Sequence, residues 1–187
     1  MFAAIDWSYR LLDHAERRLL EWMAVFVGGF ELDAALHVAT QCGETGARAA
    51  DVIDSLLRKS MLEVEAGATH VRYRMLESIR AFALARLAER GEVDDAIALH
   101  AGWVAAITDL PFDEPISIAV ERASVRLERE ADNWAAAMTT ATDLLSTRLI
   151  EQLCGPPTAH FLVSRHDLTG VLERAAAVCP DGSARRA

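Results

Sequence analysis

Near residue 60 the hydrophobic period of this chain switches from about 3.6 to 2, and by residue 77 it has switched back. Upstream of the switch, Leu19, Leu20, Met23 and Phe26 recur at helical spacing. Asp13 precedes them as an N-cap. Glu16 follows three residues later, the capping-box spacing with aspartate in the Ser/Thr place. Gly28 and Gly29 stop that run. A second helix is predicted over 31–40, with Leu32, Ala35, Leu36 and Ala39 on one face, and a third over 47–59, with Val52, Ile53, Leu56 and Leu57 inward. Cys42 to Gly46 forms the turn between them. Then Leu62 and Val64 alternate with Glu63 and Glu65, while Val71, Tyr73 and Met75 alternate with Arg72 and Arg74, on either side of a turn at Ala66-Gly67-Ala68. That pattern predicts a hairpin with its apolar face buried and Glu–Arg pairs opposed on the outer face. A helix over 77–90 turns Ile79, Phe82, Ala83 and Leu87 inward and ends at Gly91. An isolated hairpin is marginal in water and must pack on the helices. Three helices, a hairpin and a closing helix make a winged helix, placed over residues 1–91.

Beyond Gly91 the periodicity is helical throughout, with helices predicted over 93–109, 116–130, 131–154 and 162–178. Breaks are expected at Pro111 to Pro115 and at Gly155-Pro156-Pro157. Alanine-rich helix pairs suggest an all-helical bundle or a TPR-like repeat region over 92–178, although no clean 34-residue period is present. Residues 179–187, with Pro, Gly and Ser, are expected to be a disordered tail. The fold class is therefore mainly α.

Charge and cysteine usage narrow the function classes. Residues 1–90 carry 11 basic and 13 acidic side chains, and residues 91–187 carry 8 and 15, within a net charge of −9. Such a surface repels phosphate, so nucleic acid is not the default partner. Cys42, Cys154 and Cys179 form no CxxC pair, which argues against a zinc site or a disulfide framework. No apolar run approaches the ~20 residues of a membrane span, and Met1 to Arg10 lacks the pattern of a secretory signal. A cytosolic protein without a membrane partner is expected. Lys59 is the sole lysine among 19 basic residues.

Four stretches carry a family resemblance: Ala3 to Ala39, DVIDSLLRKSMLEVE at Asp51–Glu65, RYRMLESIRAFALARL at Arg72–Leu87, and EREADNWAAAM at Glu128–Met138. In this order they resemble the region that follows the nucleotide-binding core in bacterial STAND (NB-ARC type) regulatory ATPases, including large LuxR-type transcriptional regulators. The resemblance implies a winged helix that packs against an ATPase core, in cis or in trans, followed by helical repeats that sense ligands or partners. Two departures stand out. No GxxxxGK[ST] loop occurs in the sequence, so no phosphate cradle is expected. Where many relatives carry Met-His-Asp, this sequence has Met75-Leu76-Glu77, and leucine cannot donate the histidine's hydrogen bond to a phosphate.

The candidate residues follow from these readings. Trp7, Tyr9, Met75 and Glu77 are the candidate interaction seam, with Trp7 and Leu11 sharing a helix face and Trp7 read chiefly as a core anchor. A winged helix that reads DNA would use Arg48, Arg58 and Lys59 of the third helix and Arg72 and Arg74 of the hairpin. Those cations face Asp51, Asp54, Glu63 and Glu65, so an internal packing module with a mixed-charge solvated face is the simpler expectation. Among the histidines, His14, His37, His70, His100, His160 and His166 show no metal-ligand spacing, and Ser164 lies in no GxSxG elbow. They are read as half-exposed. In the Glu128–Met138 stretch, Glu130, Asp132 and Asn133 are expected to face water, with Trp134 and Met138 packed. No catalytic, cofactor-binding or metal site is expected. The sequence reads as a non-enzymatic regulatory module acting by protein contact, with DNA-binding transcriptional regulation as the alternative.

Overall fold

A computed structural model describes residues 2–66, 71–109, 115–162 and 165–179. The chain divides into two compact units at Ala96/Ile97. In the first, α1 (Phe2–Arg10), α2 (His14–Met23), α3 (Leu32–Gln41) and α4 (Gly46–Arg58) precede a hairpin of β1 (Glu63–Ala66) and β2 (Val71–Arg74), and α5 (Glu77–Glu89) follows. The second is all helical. It comprises most of α6 (Val93–Thr108), then α7 (Ile116–Arg129), α8 (Ala131–Asp143), α9 (Thr147–Leu153), α10 (Pro156–Leu162), a single 3-10 turn at His166–Leu168, and α11 (Thr169–Val178).

The expected capping box opens α2. The Glu16 N–H donates to Asp13 Oδ1 at 2.9 Å, and the Asp13 N–H donates to Glu16 Oε2 at 2.6 Å. From there Leu19, Leu20 and Met23 enter the core beside Phe26 and Phe30, whose rings meet edge to face at 5.7 Å. On α3 the inward residues are Ala34, Ala35, Val38 and Ala39, while Leu32 is exposed. The buried stripe takes in Ala34 and Val38 in place of Leu32 and Leu36, so Leu32, the first residue of the helix, lies off it. Val52, Ile53 and Leu56 of α4 and Ile79, Phe82, Ala83 and Leu87 of α5 complete the core as the spacing predicts.

The hairpin differs from expectation in which face is buried. Its register pairs Glu63 with Arg74, Val64 with Tyr73, Glu65 with Arg72 and Ala66 with Val71. Glu and Arg are opposed as predicted, but Arg72 points inward and is 8% exposed, whereas Val64 and Val71 are 49% and 47% exposed. The reason is an extra antiparallel bridge. The Phe30 N–H donates to the Tyr73 carbonyl at 2.9 Å, and the Tyr73 N–H donates to the Phe30 carbonyl at 2.8 Å. This pins the base of β2 to the loop after α2, and the Tyr73 and Phe30 rings stack at 5.9 Å. The apolar face is thus covered at its base and open toward its tip. Gly67 and Ala68 of the predicted turn lie outside the described residues.

Trp7 is not a core anchor. It is 65% exposed on α1, with Leu11 at 58%. Tyr9 holds this helix instead, its ring edge-to-face with Phe82 at 5.2 Å and its hydroxyl donating to Glu21.

In the second unit the helix predicted over 131–154 is two helices, α8 and α9, because Leu145 adopts a left-handed φ of 51°. Of the helix predicted over 162–178, Leu162 belongs to α10, and the described remainder is the 3-10 turn followed by α11. Pro156 starts a helix rather than only breaking one, since a first-turn proline has no intrahelical N–H bond to lose. Glu130 and Asn133, expected in water, are 1% and 0% exposed, and His100, expected half-exposed, is 3% exposed. They form one network: Asn133 Nδ2 donates to Glu130 Oε2 at 2.6 Å, and its Oδ1 lies 3.1 Å from His100 Nε2. Cys179 is buried, while residues 180–187 of the predicted tail lie outside the described residues, as do Pro111, His70 and Ser164.

Candidate interaction surface of the winged helix

Three groups of side chains are candidates for contact: the α4 cations, the hairpin and the N-terminal end of α5. The α4 cations already have carboxylate partners. Arg48 pairs with Glu44 and Arg58 with Asp54, each one helical turn away. Lys59, the C-cap of α4, lies 2.6 and 2.7 Å from the two oxygens of Glu16. Burial works against the charged form of Glu16, yet donation from Lys59, Ser55 and the Asp13 N–H holds its carboxyl below the ordinary value. Arg48 and Arg58 remain well exposed, so their exposed pairs contribute little to stability and only locally cancel charge.

Arg72 has a structural task. Its Nε and Nη2 donate to the carbonyls of Gly28 and Gly29 at 2.9 Å each, tying β2 to the loop after α2. That loop needs glycine. Gly29 has φ +90°, and a Cβ there would sit 2.5 Å from the Tyr73 carbonyl oxygen. Arg74 points outward and pairs with Glu65 at 2.6 Å.

Gly28 and Gly29 form one wall of a cleft of about 190 Å³, with Met23, Phe26 and Val27 beside them and Arg74, Met75, Glu77 and Arg80 opposite. Glu77, exposed at the start of α5, accepts from Arg80 at 2.7 and 2.9 Å, which keeps its carboxyl below the usual range. The structure brings Met75 and Glu77 together here. Trp7 and Tyr9, on α1, do not line this cleft. Tyr9 ionisation is disfavoured first by burial and then by its bond to Glu21, which is fully buried and lies 2.6 Å from Arg90 Nε.

Sequence reasoning missed the Phe30–Tyr73 bridge and the inward turn of Arg72. A single bridge residue leaves no periodicity, and an arginine in an alternating strand reads as solvent-facing. Among the described residues, no three His, Cys, Asp or Glu side chains are grouped to hold a metal ion. No helix described is long and apolar enough to cross a membrane. Burial pushes the thiols of Cys42 and Cys154 up to about 11, the opposite of an activated nucleophile.

Helix, bridge strand, helix, turn, helix and hairpin occur in this order between Leu12 and Ala88, and a family model covers the same stretch. Residues 12–88 match the family model of the winged helix-turn-helix domain. By their place in this order, α3 and α4 correspond to a helix-turn-helix with α4 second, and β1–β2 correspond to the wing. The chain is 35% identical over 135 residues to proteins of Mycobacterium tuberculosis and Mycobacterium bovis that bear the provisional name HTH-type transcriptional regulator. That stretch is 72% of this chain and 15% of the relative. It is also 39% identical over 103 residues to an uncharacterized protein of Mycobacterium tuberculosis, covering 52% of this chain and 25% of that protein. The chain therefore corresponds to a minor part of the length of these relatives. No solved structure matches it.

Proposed function

We propose that this chain is a non-enzymatic regulatory module of a transcriptional regulator, whose winged helix acts by packing on protein. The observation that carries the reading is the state of its cations. Of the five residues a DNA-reading winged helix would use, Arg72 is buried on two carbonyls, Lys59 bridges a buried carboxylate, and Arg48, Arg58 and Arg74 each face a carboxylate. Phosphate affinity depends on cations that neutralise backbone phosphates and so release the DNA's condensed counter-ions, and each of these five already faces an oxygen acceptor. The wing supports the same reading, since its half-exposed valines suit a protein surface better than a phosphate backbone. The resemblance to STAND regulators supplies the finer version: the partner is an ATPase core, in cis or in trans, in a cytoplasmic switch, and the module has no cofactor of its own.

The second reading is direct DNA binding. It is favoured by the match of residues 12–88 to a winged helix-turn-helix domain and by the name of the mycobacterial relatives. Fluorescence anisotropy of a mixed-sequence duplex with the purified chain, at ~50 and ~200 mM salt, separates the two. Absence of binding at low salt is expected. Affinity in the micromolar range or tighter that falls steeply with salt would replace the first reading by the second.

A further inference from the structure

Lys59 is the only lysine in the chain, and its place is unusual. It ends α4 immediately before Ser60, which has a left-handed φ of 55°. Its Nζ lies 2.6 and 2.7 Å from the two oxygens of Glu16 and 3.5 Å from the Leu11 carbonyl. Glu16 is 4% exposed and also accepts from Ser55 Oγ at 2.6 Å and from the Asp13 N–H at 2.6 Å. One ammonium thus joins the α1–α2 turn, the first turn of α2 and the C-terminal end of α4. The Lys59 side chain itself is 36% exposed, open enough for a small reagent to reach its end. Every other basic residue is arginine, whose guanidinium stays protonated and does not accept acyl groups.

We propose that Lys59 is an acylation site, and that transfer of an acetyl group to its Nζ from an acyl thioester or acyl phosphate loosens α4 from α2. In that step the deprotonated amine attacks the donor carbonyl and an N–C amide bond forms. The donor's C–S or C–O bond breaks, the thiolate or phosphate departs with the electron pair, and the amine proton passes to solvent. The product is a neutral amide with a single N–H donor in place of a charged one. Glu16 then keeps its bonds to Ser55 and Asp13 but loses its counter-ion in a position nearly closed to water, where an unpaired carboxylate is strongly unfavourable. An arginine at 59 would hold the ion pair and escape the chemistry. Because α4 is the second helix of the helix-turn-helix, the modification changes the element central to either reading of function, and it does not depend on which is correct.

The test uses the full chain, acetyl phosphate as donor, peptide mapping by mass spectrometry, and amide exchange. Lys59 and the N-terminal amine are the only amines that can form a stable amide, so a Lys59→Arg chain treated identically isolates the effect of every other reaction. Lys59 is expected to be acetylated, and the modified chain to exchange the amides of 15–19 and 52–56 about tenfold or more faster than the treated Lys59→Arg chain. Its melting temperature is expected to fall by several degrees, with Lys59→Gln reproducing both changes. Either of two results overturns the proposal: Lys59 stays unmodified while the terminal amine is fully acetylated, or acetyl-Lys59 chain exchanges and melts like the control.

Discussion

Residues 2–96 and 97–179 are both mainly helical, yet they bury polar groups in different ways. The first unit buries charge. Glu16 sits under Lys59, Glu21 under Arg90 and Tyr9, and Arg72 under two glycine carbonyls. The second relies mostly on neutral donors. The Trp134 Nε1–H and the Thr158 hydroxyl both donate to the Leu153 carbonyl, at 3.0 and 2.7 Å, and Ser124 Oγ donates to the Pro157 carbonyl at 3.1 Å. Asn133 joins His100 to Glu130, the one carboxylate in that buried set. An ion pair can be undone by neutralising one partner, whereas a neutral hydrogen bond is indifferent to salt and to charge-removing modification. By the acylation proposal, the winged helix is the unit whose interior a charge-removing modification would disturb.

Phe26→Ala in the first unit and Trp134→Ala in the second should each cost about 3–5 kcal/mol in denaturant unfolding, because both side chains are buried against an aromatic partner. A loss below about one for Phe26 would mean that the first core is not as packed as described. Next, Asn133→Leu should cost about 1–3 kcal/mol, because it leaves Glu130 and His100 each without one buried partner. An unchanged midpoint would remove the network from the second unit's account.

The same network gives a pH dependence. Burial holds the His100 imidazole below its ordinary value of 6.5, against the opposing effects of Asn133 and Glu130. The folded state then binds fewer protons than the unfolded chain. Its contribution is present above about pH 6.5 and is lost as pH falls toward the folded value. Thermal melts of wild type and His100→Gln between pH 7.5 and 5 should diverge in that direction, and parallel curves would contradict it. A smaller effect is expected from Asp13→Ala, about 1 kcal/mol, from loss of the cap on α2. Trp7→Ala, on an exposed face, should stay within about 0.5 kcal/mol.

The helix closures explain what the sequence made legible. Four helices end with the same geometry, in which an N–H two residues past the cap returns to a carbonyl five positions back. These bonds run from Glu44 to Ala39, Met61 to Leu56, Glu92 to Leu87 and Ser146 to Ala141. Two of them place Gly43 and Gly91 at the left-handed position; Gly91 was read as a stop and Gly43 falls within the turn read over 42–46. The other two place Ser60 and Leu145 there, at φ 55° and 51°. Ser60 was still bracketed by the change of period, but Leu145 stands within an unbroken apolar pattern, so α8 and α9 read as one helix. The capping box and the opposition of Glu and Arg in the hairpin were legible because they are local. The Arg72 clamp, the Glu16–Lys59 pair and the buried Asn133 join residues from 3 to 44 positions apart, and all but the shortest link leave no spacing signal. Of the candidate seam, Met75 and Glu77 share the cleft by adjacency in sequence, whereas nothing local indicated that Trp7 would be exposed.

The proposed absence of DNA binding rests on neutralisation of the α4 cations within the winged helix. Its most direct test compares duplex affinity, at ~50 mM salt, of the wild-type chain with a Glu44→Gln/Asp54→Asn variant that leaves Arg48 and Arg58 without their carboxylates. We expect no measurable binding by wild type and a weak, salt-sensitive affinity in the variant. Micromolar binding by the wild-type chain, unchanged by the two substitutions, would contradict it.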